Sequence, residues 1–517
     1  MNPSLTVLRR AASIAVACTI VLVGMTLTLA TATTSCESLT ALLLSNAKIT
    51  SAATVAAGAF RPPAGGPAGN NNAYAALPSF CRVTATLTPS SDSDIKIELW
   101  LPHGGWNGKF EAVGNGGWAG SIPFGSIAGA LAAGFAGAGT DTGHTGNNAD
   151  FALGHPEKMI DFGYRSTHEM TVQSKLIIKA FYGEPAKLSY FNGCSQGGRQ
   201  GLSEAQRYPE DFDGIIAGAS AIDQMRMHAA RTALNMRVNK DADSVIPKSK
   251  YEMIHNAVLQ SCDALDGVKD GVIENPASCK FDYSKLLCPG GDGADCLTRG
   301  QVESAKTMTS TLKDPKTGKT LFDGHLMVGS ELGWATIGGP QPLNLSVSGM
   351  QNVVFQNKKW DYHTMNFSTD IDRAIASDGG AASTTDPNLK PFFDRGGKLL
   401  MYHGWSDPQV NPLNSVNYYG DVVKAVGKKA ASNSIALFML PGVNHCTGGP
   451  GTDTFDKVQV IEDWVEKGKT PTRIVASHLT SGKVDKTRPL CPYGQVAKYV
   501  GSGDTNDAAN FVCKAGS

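Results

Sequence analysis

The sequence predicts an α/β fold: buried strands and helices, a large inserted lid, and a set of disulfides. Three observations carry that prediction. Gly193-Cys194-Ser195-Gln196-Gly197 falls between a β-prone run, Lys187 to Phe191, and a proline-free stretch of helix formers, Gln196 to Tyr208. Apolar, strand-like runs lie on both sides of a long interval, 221–385, in which the βα rhythm stops. Of eleven cysteines, ten remain once an apolar leader carrying Cys18 is set aside.

In a Gly-x-Ser-x-Gly turn between strand and helix the serine sits in strained backbone, and a Cβ at the flanking glycines would strike the neighbouring strand or helix. Such a turn lifts the Ser195 hydroxyl above the sheet edge. The helix behind it points free N–H groups and the positive end of its dipole at the spot where an oxyanion would form. With 58 glycines in the chain the pentapeptide alone is a weak signal. The strand before it and the helix after it make Ser195 the candidate nucleophile.

A chain of 517 residues is long enough for one large domain with an insertion, and 41% hydrophobic content supports a packed core. Formal net charge is zero and no basic face stands out, which argues against nucleic acid and anionic membranes as partners. Arg9-Arg10, the apolar run from Ala11 to Ala30 and the small-x-small site Ala30-Thr31-Ala32 read as a signal peptide over 1–32. An uncleaved anchor is the alternative, because the run approaches bilayer-spanning length. Cleavage would leave the chain secreted or periplasmic, with no membrane attachment. An even cysteine count in an exported chain argues for five disulfides, and no Cys-x-x-Cys pair favours a thiolate metal site instead. Spacing pairs Cys262 with Cys279, Cys288 with Cys296, and Cys491 with Cys513, leaving Cys36, Cys81, Cys194 and Cys446.

The first sheet-forming part is 33–220. Residues 36 to about 80, rich in Ala, Ser and Thr with Pro62-Pro63 and Gly65-Gly66, predict loose packing tied down by Cys36. Ile95 to Trp100 alternates as a strand should, and Lys109 to Val113 is a second strand. Gly114-Asn115-Gly116-Gly117-Trp118 follows directly; a glycine cluster there lets backbone approach a substrate and offer an N–H to an oxyanion, a surface turn being the alternative. Leu131 to Gly139 reads as a buried strand. Asp141 and His144 just beyond it fit loop-structuring roles better than catalytic ones. Phe212 to Gly218 is the strand that closes this half.

The interval 221–385 is the predicted lid, with helical stretches, four of the cysteines and the aromatic group Trp334, Phe355, Trp360, Tyr362 and Phe367, read as core. Within it Asp263, Asp266 and Asp270 are separated by three and four residues, with Gly267 and Gly271 permitting tight turns. Carboxylates so placed suit a hard cation, and outside the cell calcium is the natural one. The spacing is not that of an EF-hand, and a metal-free Asp-Gly turn is the alternative.

The sheet resumes in 386–517. An apolar strand from Gly397 runs through His403 into a loop carrying Asp407, and Ile435 to Leu440 runs into Pro441-Gly442-Val443-Asn444-His445-Cys446. The order Ser195, Asp407, His445 is the chain order of α/β-hydrolases, so the predicted fold is an α/β-hydrolase with a large lid. His403 competes for the role of base, but it ends the strand that already supplies Asp407. If Ser195 and His445 lie within hydrogen-bond reach, Cys194 and Cys446 beside them are close enough to bridge. That pairing leaves Cys36 with Cys81; a free Cys194 is the alternative.

With these residues in place the chain resembles the tannase and feruloyl esterase family, which includes the hydrolase of mono(2-hydroxyethyl) terephthalate. The likeness rests on Cys194-Ser195, Asp407, His445-Cys446, Gly114 to Gly117, Gly193 to Gly198, Cys262 to Asn275, His403 to Asp407, Pro441 to Gly451, and Arg488-Pro489-Leu490-Cys491-Pro492-Tyr493. It implies a triad of Ser195, His445 and Asp407 and an oxyanion hole from the N–H groups of Gln196 and Gly117. It also implies structural Ca2+ held by the side chains of Asp263, Asp266 and Asp270 and the carbonyls of Val268 and Val272. The family's lid residues that grip the aromatic acid do not align visibly in 330 to 375.

The expectation from sequence is therefore an exported serine carboxylesterase acting on esters of aromatic, feruloyl-like acids, small or attached to plant polysaccharide. A tannase acting on galloyl esters and a terephthalate monoester hydrolase are the enzymatic alternatives. A calcium-stabilised carbohydrate-binding protein is the non-enzymatic one. A binder has no need of a complete triad and both oxyanion donors.

Overall fold

A computed structural model describes residues 34–63, 71–323 and 326–516. The leader with Cys18 and the Gly65-Gly66 turn lie outside the described residues. A nine-stranded sheet runs in the order β1-β2-β3-β5-β4-β6-β7-β8-β9. Its strands are β1 Ala47–Val55, β2 Phe80–Leu87, β3 Ile95–Pro102, β4 Lys109–Val113, β5 Ala136–Thr140, β6 Leu188–Cys194, β7 Gly214–Gly218, β8 Lys398–Gly404 and β9 Ile435–Leu440. The β1, β2, β3 and β5 pairings are antiparallel. From β5 through β9 every pairing is parallel.

The parallel strands are unbroken apolar runs because both faces are covered. Alternation along them splits two cores: Phe191, Ile215, Leu399 and Met401 meet the helices α2 Ser166–Tyr182 and α3 Gln196–Arg207 on one side. Tyr190, Ile216, Leu400 and Tyr402 join Ala130 of helix α1 Phe124–Ala132 and Trp464 of the C-terminal helix Lys457–Lys467 on the other.

Two expectations are corrected. Leu131 to Gly139 is not one strand: α1 runs to Ala132, Gly134 turns the chain at φ +84°, and β5 begins at Ala136. Small apolar residues packed by a helix and by a central strand look alike in sequence. The segment after Cys36 is not loose either, since β1 pairs along its length with β2 and forms the sheet edge. Its Ala, Thr and Val residues suit a half-exposed strand.

Between β7 and β8 the large sheet gains no strand. This interval holds α4 Gln224–Val238, α5 Tyr251–Cys262 and α6 Arg299–Met308, the last started by a reciprocal capping box of Thr298 and Gln301. One apolar cluster here is internal, built on Ile254, Val258, Leu297 and Trp334. The other joins Ala229, Ala233 and Met350 to Trp118, Ala149 and Phe162 of the first half, so the insert rests on the sheet domain. Five disulfides close: Cys36–Cys81, Cys194–Cys446, Cys262–Cys279, Cys288–Cys296 and Cys491–Cys513. Cys194 is thus not free.

Candidate active site

Ser195 occupies the turn from β6 into α3 at φ 64° and ψ −120°, backbone that a side-chain-bearing residue adopts only under constraint. The constraint is close backbone contact. A Cβ on Gly193 would lie 2.5 Å from the Gly197 carbonyl, one on Gly198 2.3 Å from the Gly218 oxygen, and one on Gly114 2.4 Å from the Gly197 Cα. Ser195 N–H donates to the Gly218 carbonyl at 2.8 Å and pins the turn to β7.

Asp407 follows β8 and is fully buried. Its Oδ2 accepts from His445 Nδ1 at 2.6 Å and from His403 Nε2 at 3.1 Å, while Oδ1 accepts from the amides of Gln409 and Val410. Burial alone would raise its pKa; the His445 charge and the bonds from both imidazoles outweigh that and hold it well below the usual carboxylate range. The two histidines are not equivalent. His403 is sealed, its Nε2 also meets the Val410 carbonyl, which can only accept, and its Nδ1 meets the Ser415 hydroxyl. His445 is partly exposed, and with Nδ1 committed to Asp407 its Nε2 is the nitrogen left for proton transfer.

Ser195 and His445 line one cavity of about 380 Å³ together with Gly116, Gly117, Gln196 and Cys446. Among the described residues no hydrogen bond yet joins the Ser195 hydroxyl to His445; such bonds are often loose before substrate binds. The Cys194–Cys446 bridge, with Cα atoms 6.1 Å apart, ties the residue before the serine to the residue after the histidine. Gln196 is the first residue of α3, so its N–H has no partner inside the helix. The facing loop with Gly117 is held to α3 by Asn115, whose N–H donates to Gln200 Oε1 at 2.9 Å and whose Oδ1 accepts from Gln200 Nε2 at 3.1 Å. His144 and Asp141 are braces: His144 Nε2 donates to the Trp118 carbonyl at 2.7 Å, and Asp141 Oδ1 accepts from the Lys96 and Gly143 amides.

The opposite wall was not identified from sequence. Gln224, Met227, His228 and Arg231 of α4 face the cavity, with Leu345 beside them. Their spacing of three, four and seven residues from Gln224 is one helical stripe, and two cationic or imidazole groups in it were the available signal. The aromatics Trp334, Phe355, Trp360, Tyr362 and Phe367 pack in the apolar clusters instead. A second cavity of about 240 Å³, between Trp405, Met439 and Tyr493, is lined by none of Ser195, Asp407 and His445.

In the acidic loop, Asp263 accepts from the amides of Asp270 and Gly271, Asp266 from Val268, and Asp270 from Val272. Burial, then the charges of Asp270 and Asp263, push the Asp266 pKa up, and Arg488 and Lys486 pair with Asp270. Carboxylates and backbone carbonyls are the donor chemistry a hard divalent cation takes, although Asp263, Asp266 and Asp270 are not among the described groups whose ligand atoms all lie within 4.8 Å of one another. Elsewhere, His168, Glu204 and Asp211 bring one ligand atom each within 4.8 Å. Burial first, and then Asp211, raise the Glu204 pKa well above its ordinary value.

An α/β-hydrolase sheet with Ser195 at its elbow, covered by an insert, is the class the geometry defines. The family described as tannase and feruloyl esterase matches residues 81–514. An uncharacterised esterase of Xanthomonas campestris is 35% identical, the match covering 96% of this chain and 94% of that one. Mono(2-hydroxyethyl) terephthalate hydrolase of Piscinibacter sakaiensis is 35% identical over 85% of this chain and 86% of its own. The crystal structure of feruloyl esterase B from Aspergillus oryzae superposes with a TM-score of 0.86 at 32% identity, covering 93% of this chain and 99% of that one. The chain belongs to the tannase and feruloyl esterase family and is a carboxylic ester hydrolase.

Proposed function

We propose that the protein is an exported serine esterase of aromatic-acid esters, feruloyl esters foremost. Ser195 Oγ attacks the ester carbonyl while His445 Nε2 takes its proton; His445 then returns the proton to the leaving alcohol, and water repeats the sequence on the acyl-enzyme. Asp407 orients the imidazole and offsets its charge. The N–H groups of Gln196 and Gly117 receive the oxyanion. The observation that carries this reading is the 2.6 Å His445–Asp407 bond behind a cavity that Ser195 and His445 share. The feruloyl and terephthalate esters acted on by relatives support an aromatic acid. Five disulfides and the apolar leader support export to an oxidising compartment. Asp263, Asp266 and Asp270 with the carbonyls of Val268 and Val272 would hold calcium, which would neutralise the loop and brace the insert without entering the chemistry.

Steady-state assays with p-nitrophenyl acetate, methyl ferulate, methyl gallate and a terephthalate monoester test the reading. Ser195→Ala should lose roughly 10⁴-fold or more in kcat on whichever of them the protein cleaves. Undiminished turnover by that variant removes Ser195 from the mechanism.

A further inference from the structure

Arg231 is a buried charged group on the α4 wall of the cavity. It is 4% exposed, its Nη2 donates to the Gln409 carbonyl, and its Nε has no acceptor. Among the described residues it forms no ion pair. Burial draws its pKa down to about 10, with the field of Asp407 offsetting part of the effect, so it stays cationic at neutral pH. Asp407 cannot serve as its partner, since both carboxylate oxygens are taken by two imidazoles and two amides.

A buried guanidinium with an unmade bond is costly unless something supplies the charge and the acceptor. Two further sealed polar atoms on residues of the same cavity also lack partners, Gln224 Oε1 and Gln196 Nε2. The neighbouring imidazole adds no second charge: burial and the Arg231 charge hold the His228 pKa well below its usual value, and its Nδ1 meets the Ser346 hydroxyl. One cation therefore faces the space that holds Ser195, with an N–H left for an acceptor that enters it.

We propose that Arg231 is a specificity residue that binds a carboxylate of the substrate, so that among aromatic-acid esters those carrying an ionised carboxylate remote from the scissile bond, on the acid or on the alcohol part, are preferred. This rests on the reading of Ser195 as nucleophile in that cavity. An arginine serves better than a lysine because its planar fork meets a carboxylate with two bonds. The competing role is a tie for the Gln409 carbonyl, next to Asp407, that positions the acid of the triad.

The test is the ratio of kcat/KM for two esters with one leaving group: monomethyl terephthalate, an anion, and methyl 4-carbamoylbenzoate, its neutral analogue. The wild type should favour the anion. Arg231→Gln should lower that ratio on the order of 100-fold, as loss of one member of a buried charge pair does, and Arg231→Lys should restore part of it. An unchanged ratio, or a wild type indifferent to the charge, overturns the proposal. Equal loss on both esters overturns it in favour of the positioning role. Should Arg231→Gln not fold, competitive inhibition of the wild type decides: 4-carbamoylbenzoate, an anion, must inhibit at least tenfold more strongly than terephthalamide, its neutral diamide, and equal inhibition refutes the assignment. Full activity of Ser195→Ala on both esters would instead refute the nucleophile, whereas an inert Ser195→Ala with an unaltered ratio in Arg231→Gln refutes this inference alone.

Discussion

The two walls of the cavity are built on different principles. On the elbow side backbone meets backbone: Gly114, Gly193 and Gly197 approach so closely that no side chain fits, and Ser195 is held at a positive φ by a bond to β7. On the α4 side the wall is made of side chains, Gln224, Met227, His228 and Arg231, projecting from an ordinary helix. The first wall fixes the Ser195 turn by backbone contact and leaves it little freedom to shift. The second can change its residues without disturbing the turn. Chemistry should therefore reside on one wall and choice of substrate on the other.

The largest effect that would break this division comes from the histidines. His445→Ala should cost about 10⁴-fold in kcat on every ester, because among the described residues it is the one imidazole that both meets Asp407 and lines the cavity. His403→Ala leaves the cavity untouched and deletes one bond to Asp407, so a loss of about 10- to 100-fold is expected. Steady-state rates for both variants measure the gap. A reversed ranking would place the base on β8.

Next in size is the Cys194–Cys446 bridge. It closes a separation of 252 residues, which on the chain-entropy account contributes roughly 5 kcal/mol. The double variant Cys194→Ala/Cys446→Ala should lose stability in denaturant titration and also lose rate at temperatures where it remains folded, since small displacements of Ser195 from His445 are costly. Full activity in the folded variant would mean that the backbone contacts of the elbow suffice alone.

How far each wall was legible follows from the same contrast. Gly193, Ser195, Gly197 and the Gly114 to Gly117 loop announce themselves because glycine is required where chains touch, and the residues beside them, Cys194 and Cys446, could be paired from their neighbours. Asp407 and His445 were readable from strand ends in the expected order. Arg231 and His228 were not, because a polar side chain on a helix looks solvent-facing until tertiary packing turns it inward. For the same reason α1 was merged with β5: Ala and Gly leave no period to read. Strand β1 was missed because its Thr and Ala residues match a surface loop in composition.

Calcium tests the insert separately from the elbow. Chelation with EDTA should lower Tm and leave the initial rate of still-folded enzyme unchanged, because an ion bound only by the native state stabilises it by mass action, about 3 kcal/mol at a hundred times its Kd. Prompt loss of activity with the circular dichroism spectrum intact would move the ion into the chemistry. The absence of any shift in Tm would leave Asp263, Asp266 and Asp270 as a hydrogen-bonded turn.

The smallest effect concerns a buried acid under the elbow. Glu111 lies on β4 beside β6, and its Oε1 accepts from Asn192 Nδ2 at 3.0 Å. Burial first, with Glu462 adding to it and Asn192 opposing, raises its pKa from 4.5 to about 7. A raised carboxyl pKa means that the folded state holds the proton longer than the unfolded chain does. Its contribution to stability is then full below pH 4.5 and is lost as pH climbs to about 7. Asp407 works in the opposite sense but in another window, its share being lost only as pH falls below the ordinary Asp value of 3.8. Asp141 and Glu274, raised by burial to about 7 and about 8, add to the Glu111 trend. Wild-type Tm should therefore fall between pH 5 and pH 8, and Glu111→Gln, which keeps the shape without the titration, should shrink that fall by about 2–4 °C. An undiminished fall in the variant would assign the trend to Asp141 and Glu274, and with it the pH-sensitive burial would leave the elbow side.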